Sequence, residues 1–86
     1  MKYSNIEELK QEIISNKSLL DSKHKKNIAK IEFDNFSFTI VKIDINNSNI
    51  IFTAFNDADK ENIGTFDLEF LSGLMVFGKS IEYYWL

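Results

Sequence analysis

The 86-residue chain has no cysteine, no proline, no arginine and only three glycines. Each absence closes a class of answers. Without cysteine there is no disulfide staple and no thiolate metal site, and the single histidine, His24, cannot assemble a zinc site by itself. With so few glycines the chain matches no P-loop, dinucleotide fingerprint or nucleophile elbow. All ten basic residues are lysine, so no guanidinium is available to read guanine in bidentate fashion. No apolar run approaches the roughly 20 residues that cross a bilayer. The opening stretch MKYSNIEELKQEIIS lacks the apolar core of a secretory signal. The expectation is a cytoplasmic protein without membrane attachment, in which the Asn-X-Ser triplets at Asn16, Asn35 and Asn46 are chance matches.

What is present points to a folded chain. A composition that is 44% hydrophobic and 14% aromatic is too apolar for disorder. The length suits one domain spanning residues 1–86. Such a domain buries only roughly 60–65% of its unfolded surface. With metal and disulfide support excluded, oligomerisation or a partner is the remaining source of extra stability. The formal net charge of −3 is uneven: residues 1–30 hold seven lysines against four acids, and residues 31–86 hold three lysines against nine. Such asymmetry bears on partners, not on fold. The abundance of isoleucine, lysine and asparagine, whose codons are A/T-rich, suggests a low-GC bacterium, its phage or a plasmid as source.

Hydrophobic periodicity predicts one helix followed by strands. Ser4 with Glu7 forms a capping-box pattern. Ile6, Leu9, Ile13 and Leu20 then share a helical face, with Ile14 beside them, giving a helix from about residue 5 to between 16 and 20. From Ile31 the period becomes two. NIAKIEF, FSFTIVKIDI, NIIFTAF and GTFDLEF read as strands separated by Asp34 with Asn35, by NNSN (46–49) and by NDADKEN (56–62). GTFDLEF places Phe66, Leu68 and Phe70 on one face, and SIEYYWL reads as a last strand. LSGLMVFG (71–78), interrupted by Gly73, fits a helical turn, a crossover or a strand. The fold class is therefore α+β, an N-terminal helix packed on an antiparallel meander of about four or five strands.

Two features demand more than one helix. In FSFTIVKIDI the apolar residues change phase, from Phe36, Phe38 and Ile40 to Val41, Ile43 and Ile45, which requires a bulge near Ile40 or burial on both faces. The next strand is also apolar on both sides, Ile50 and Phe52 against Ile51 and Phe55. One helix covers one face, so LSGLMVFG, a second copy or a partner is expected to cover the other.

NDADKENIG (56–64) resembles a calcium loop only in part. Counted from Asp57, positions 1, 3 and 5 carry Asp57, Asp59 and Glu61, but position 6 is Asn62 and position 12 is Leu68. Counted from Asp59, glycine falls correctly at Gly64, but positions 5 and 12 are Ile63 and Phe70. Neither register closes a cage, and a polar hairpin loop is the expectation, with no metal and no cofactor. Lys23, Lys25, Lys26 and Lys30 could meet phosphates, yet no aromatic lies among them to stack on bases. His24 sits among lysines with no carboxylate to orient it, so catalysis is not expected.

The acids Asp44, Asp57, Asp59, Glu61, Asp67 and Glu69 are expected to gather on one loop and strand face, able to steer a basic partner and stand in for phosphates. Tyr84 and Trp85, in a terminal run where neighbours face opposite sides, are candidate interface anchors. These eight residues form the expected partner-binding set. The functional expectation is a non-catalytic inhibitor or immunity factor that blocks a basic, nucleic-acid-handling protein. Alternatives are a nucleic-acid-binding regulator using residues 23–30, or a homodimeric assembly component.

Overall fold

Asn5 opens the first helix. Its backbone is extended and its side-chain oxygen accepts the Glu7 backbone N–H at 2.8 Å, after which α1 (Ile6–Ser15) begins. The cap thus lies one residue beyond the expected Ser4, because asparagine satisfies an orphan N–H as well as serine does. Glu7 and Glu8 occupy the first turn, where the helix dipole favours acids. Asn16 ends the helix as expected, its side chain donating to the Glu12 carbonyl at 2.7 Å. Leu9 and Ile13 are fully buried, flanked by Ile6, Ile14 and Leu20. The computed structural model describes residues 1–20 and 26–86.

The sheet is antiparallel and contains six strands, one or two more than the sequence suggests: β1 (Lys2–Tyr3), β2 (Ala29–Phe33), β3 (Phe36–Asn46), β4 (Asn49–Asn56), β5 (Asp59–Asp67) and β6 (Ile81–Trp85). Strands β2 to β5 form the expected meander. Their turns are tight, since Phe33 pairs with Phe36, Asn46 with Asn49 and Asn56 with Asp59. Asp34 and Asn47 take the left-handed backbone (φ 51° and 57°) that small polar side chains tolerate. The third turn is shorter than expected: β5 begins at Asp59, and only Asp57 and Ala58 lie in the bend. Strand β6 departs from the meander by entering between β1 and β2, so the order is β1-β6-β2-β3-β4-β5.

The phase change in β3 is a bulge. Ile40 pairs with Ala54 and Lys42 with Thr53, so Val41 is the extra residue. Phe36, Phe38 and Ile40 therefore share a face with Ile43 and Ile45. Ala29, Ile31, Phe33, Ile50, Phe52, Ile81 and Tyr83 complete that buried face.

The tail differs most from expectation. The strand ends at Asp67, whose carboxylate accepts the Phe70 N–H at 3.0 Å and caps α2 (Leu68–Leu74). Leu68 and Phe70 thus belong to a helix, and Gly73 lies inside it. Leu71 and Met75, one helical turn apart, join the same core as Leu9 and Ile13. Both helices therefore cover one face of the sheet. LSGLMVFG does not cover the second face, where Lys30, Glu32, Thr53, Phe55 and Tyr84 lie with no layer over them among the described residues.

Candidate functional site

The expected acidic patch is dispersed by the fold, beginning with Asp57. Ser37 and Thr39 alternate onto the uncovered face of β3, and each hydroxyl donates to the Asp57 carboxylate at 2.6 Å. The Lys30 ammonium reaches it from β2 at 2.9 Å. Burial alone would raise the Asp57 pKa, but the bonds from Ser37, Thr39 and Lys30, with the lysine charge, outweigh it and bring it down to about 2. The hydrogen bond and charge of Asp57 in turn raise the Lys30 pKa. The cluster is an internal clamp that ties β2 and β3 to the β4–β5 turn. Ser37 gives its proton toward a carboxylate already saturated with donors, which is not the arrangement of an activated nucleophile.

Asp44 and Asp67 lie far from that clamp. Both stand in register with Ile51, from β3 and β5 respectively. Ile51 is six residues along β4 from Asp57, about 20 Å at the rise of a strand. Asp44 pairs with Lys42 at 3.6 Å, and Asp67 is engaged as the α2 cap. The two aromatic candidates are also engaged internally. The Tyr84 hydroxyl donates to Glu32 at 2.8 Å, which raises its pKa. The Trp85 indole N–H donates to Glu12 at 2.9 Å, and its ring meets Tyr83 edge-on at 5.2 Å. Of the expected basic segment, Lys23, His24 and Lys25 lie outside the described residues, and Lys30 belongs to the clamp.

Asp59, Glu61 and Glu69 remain, all exposed along the edge formed by β5 and α2. Asp59 accepts from the Asn62 side chain. Here β5 changes character: Phe55 pairs with Ile63 while Asn56 pairs with Asp59, so Lys60, Glu61 and Asn62 bow out of register. Beyond them, residues 63–67 pair regularly with β4, and no strand among the described residues pairs with their far side.

An aromatic row absent from the expected set runs to this edge across the helix-bearing face, from β3 through β5 to α2. Phe36, Phe38, Phe66 and Phe70 follow one another with ring centroids 6.4, 5.7 and 5.5 Å apart. Phe36 is 55% and Phe70 47% exposed. Phe38, Phe66 and Phe70 wall a hollow of about 270 Å³, floored by Ala54 and Gly64, which face each other across β4 and β5. Gly64 contributes no side chain, so the floor stays low. The same end of the sheet holds the turn Val76–Gly78. Phe77 there is 98% exposed in a left-handed backbone (φ 65°), a costly conformation for a bulky residue. Next to it Lys79 pairs with Asp34 at 3.0 Å and lies 5.6 Å above the Phe33 ring.

A second hollow, about 460 Å³, lies where α1 meets β1, lined by Tyr3, Glu8 and Glu12 among others. Among the described residues no three His, Asp or Glu side chains converge as a metal site would, and no helix is long and apolar enough to cross a membrane. No family model, curated protein or solved structure matches this chain.

Proposed function

We propose that the chain is a small non-catalytic binding protein that blocks a basic, nucleic-acid-handling partner. One observation carries the reading: the edge formed by β5 and α2 joins exposed aromatic surface to unneutralised acid. Phe36 and Phe70 offer apolar contact, while Asp59, Glu61 and Glu69 stand exposed beside a single lysine of the same strand, Lys60. Aromatic anchors within a charged rim are the usual make-up of a specific interface. The acids steer a basic surface toward the anchors and occupy positions that phosphates would otherwise take. This site keeps Asp59, Glu61 and Glu69 from the expected set and replaces Asp44, Asp57, Asp67, Tyr84 and Trp85 with the phenylalanines. The cysteine-free composition suits work in the reducing cytoplasm.

The test is capture from a lysate of the source cells, comparing the native chain with the paired variants Glu61→Lys/Glu69→Lys and Phe36→Ser/Phe70→Ser. The expected result is a basic protein retained by the native chain, weakened by added salt, lost from both variants, and displaced from its nucleic acid on binding. Retention unaffected by either variant, or retention of nucleic acid itself, overturns the proposal.

A further inference from the structure

We infer that residues 63–67 of β5 accept an extended basic segment of the partner as a seventh strand, with its alternate apolar side chains filling the hollow beside Phe66 and Phe70. The inference rests on reading the chain as a binding protein, and it specifies how the partner is held.

The two edges of the sheet differ in what they can template. Strand β1 has two residues, too few to hold a ladder, whereas β5 has nine. Natural sheets guard such edges with bulges and charge. Strand β5 is guarded over only half its length, where Lys60, Glu61 and Asn62 bow out. Residues 63–67 keep a regular register and carry the exposed Ile63, Gly64 and Thr65. A strand added there lies about 4.8 Å farther out, and every second side chain points to the helix-bearing face. That is the face on which the hollow opens. At about 270 Å³, walled by Phe38, Phe66 and Phe70, the hollow has room for an aliphatic side chain.

Charge selects the occupant. The pairing segment 63–67 carries one acid, Asp67, and no cation, and the exposed Asp59, Glu61 and Glu69 lie along the same edge, so a second copy docked there brings two net-negative surfaces together. Like-charged surfaces brought together oppose association. A second copy is therefore disfavoured at this edge, and a segment alternating lysine or arginine with aliphatic residues is favoured.

The test uses a synthetic peptide alternating lysine with valine and leucine, against a peptide of the same composition with its apolar residues grouped. The readouts are amide exchange at residues 63–67 and titration by NMR. The expected result is slowed exchange at the alternate amides of this segment that point away from β4 with the alternating peptide, and binding about tenfold weaker for the grouped one. Gly64→Val is the decisive variant. A Cβ at Gly64 meets nothing within 4 Å, and valine suits a strand. The variant therefore folds with the hollow filled and loses the peptide. Unprotected amides, or equal binding by Gly64→Val, overturns strand addition. If the chain captures a protein partner that Gly64→Val holds equally well, strand addition is refuted and the binding role stands. If it captures no protein at all, the binding role falls and the inference with it.

Discussion

The helix-bearing face of the sheet is sealed at one side and open at the other. Beneath α1, Leu9, Ile13, Ile31 and Ile81 are fully buried, and even the rim is closed by the Trp85 bond to Glu12. Around α2, Phe38 and Phe66 are half-buried while Phe36 on β3 and Phe70 on the helix itself keep about half of their surface exposed. Both sides use large apolar residues, aliphatic in the one and aromatic in the other, so hydrophobicity alone does not explain the contrast. Geometry does. Six strands span about 24 Å between the outermost pair, and two helices of about 10 Å diameter cover roughly 20 Å. The second helix is also short, seven residues or about 10 Å, over a nine-residue strand of about 30 Å. The cover runs out above β5. An open apolar floor is thus built into this fold, with Asp59, Glu61 and Glu69 exposed along the same edge.

The strongest way to probe the contrast is to excavate the sealed side. Ile31→Ala is expected to cost about 2–5 kcal/mol in urea unfolding, because its neighbours cannot collapse into the gap. Asp57→Asn comes next. The Asp57 carboxyl is held at about 2, below its ordinary value of about 4, so its stabilisation is present above about pH 4 and is lost as pH falls toward 2. Allowing for solvent screening, that amounts to about 1–2 kcal/mol. The variant is expected to lose this much at neutral pH and to show a flatter acid limb than the native chain. Tyr83→Phe sharpens the comparison from the sealed side. The Tyr83 hydroxyl is buried with no hydrogen-bond partner among the described residues, and burial pushes its pKa far up. Its removal is expected to raise stability by about 1 kcal/mol. The smallest stability effect is expected on the open side. Phe70→Ser is expected to change unfolding by under about 1 kcal/mol while abolishing capture of the partner. A large loss of stability there would mean that the open side is ordinary core.

Much of the fold is legible in local pattern. Helical spacing from Ile6 to Ile13 marks α1, and the reversed phase at Val41 signals a bulge or burial on both faces, between which the pairing of β3 with β4 decides for the bulge. Two residues are too few to show a period, so β1 leaves no trace. The entry of β6 between β1 and β2 is a long-range pairing that no local pattern encodes. The end of β5 is hidden because Phe66, Leu68 and Phe70 alternate like a strand, while Leu71 and Met75 carry the helical period beyond them. The site was harder still. A carboxylate in a sequence counts as one negative charge wherever it lies, but Asp57 is occupied by two hydroxyls and an ammonium that the meander brings to it. Which phenylalanines stay in solvent depends on where the second helix begins, and that is set by Asp67 acting as its N-terminal cap.

The strand order also governs when the molecule can become complete. Hairpins β2 to β5 join neighbours in the chain and can zip within microseconds each. Strand β6 must instead travel back to meet β2, its Tyr84 bonding Glu32 across 52 residues, and only then does β1 gain a neighbour. Closure over such a span is the slow step of folding. Until it happens, β2 offers a bare hydrogen-bonding edge with Ile31 and Phe33 uncovered beside it. During synthesis the chain is therefore most prone to aggregate just before residues 81–85 arrive, and their docking ends that vulnerable interval.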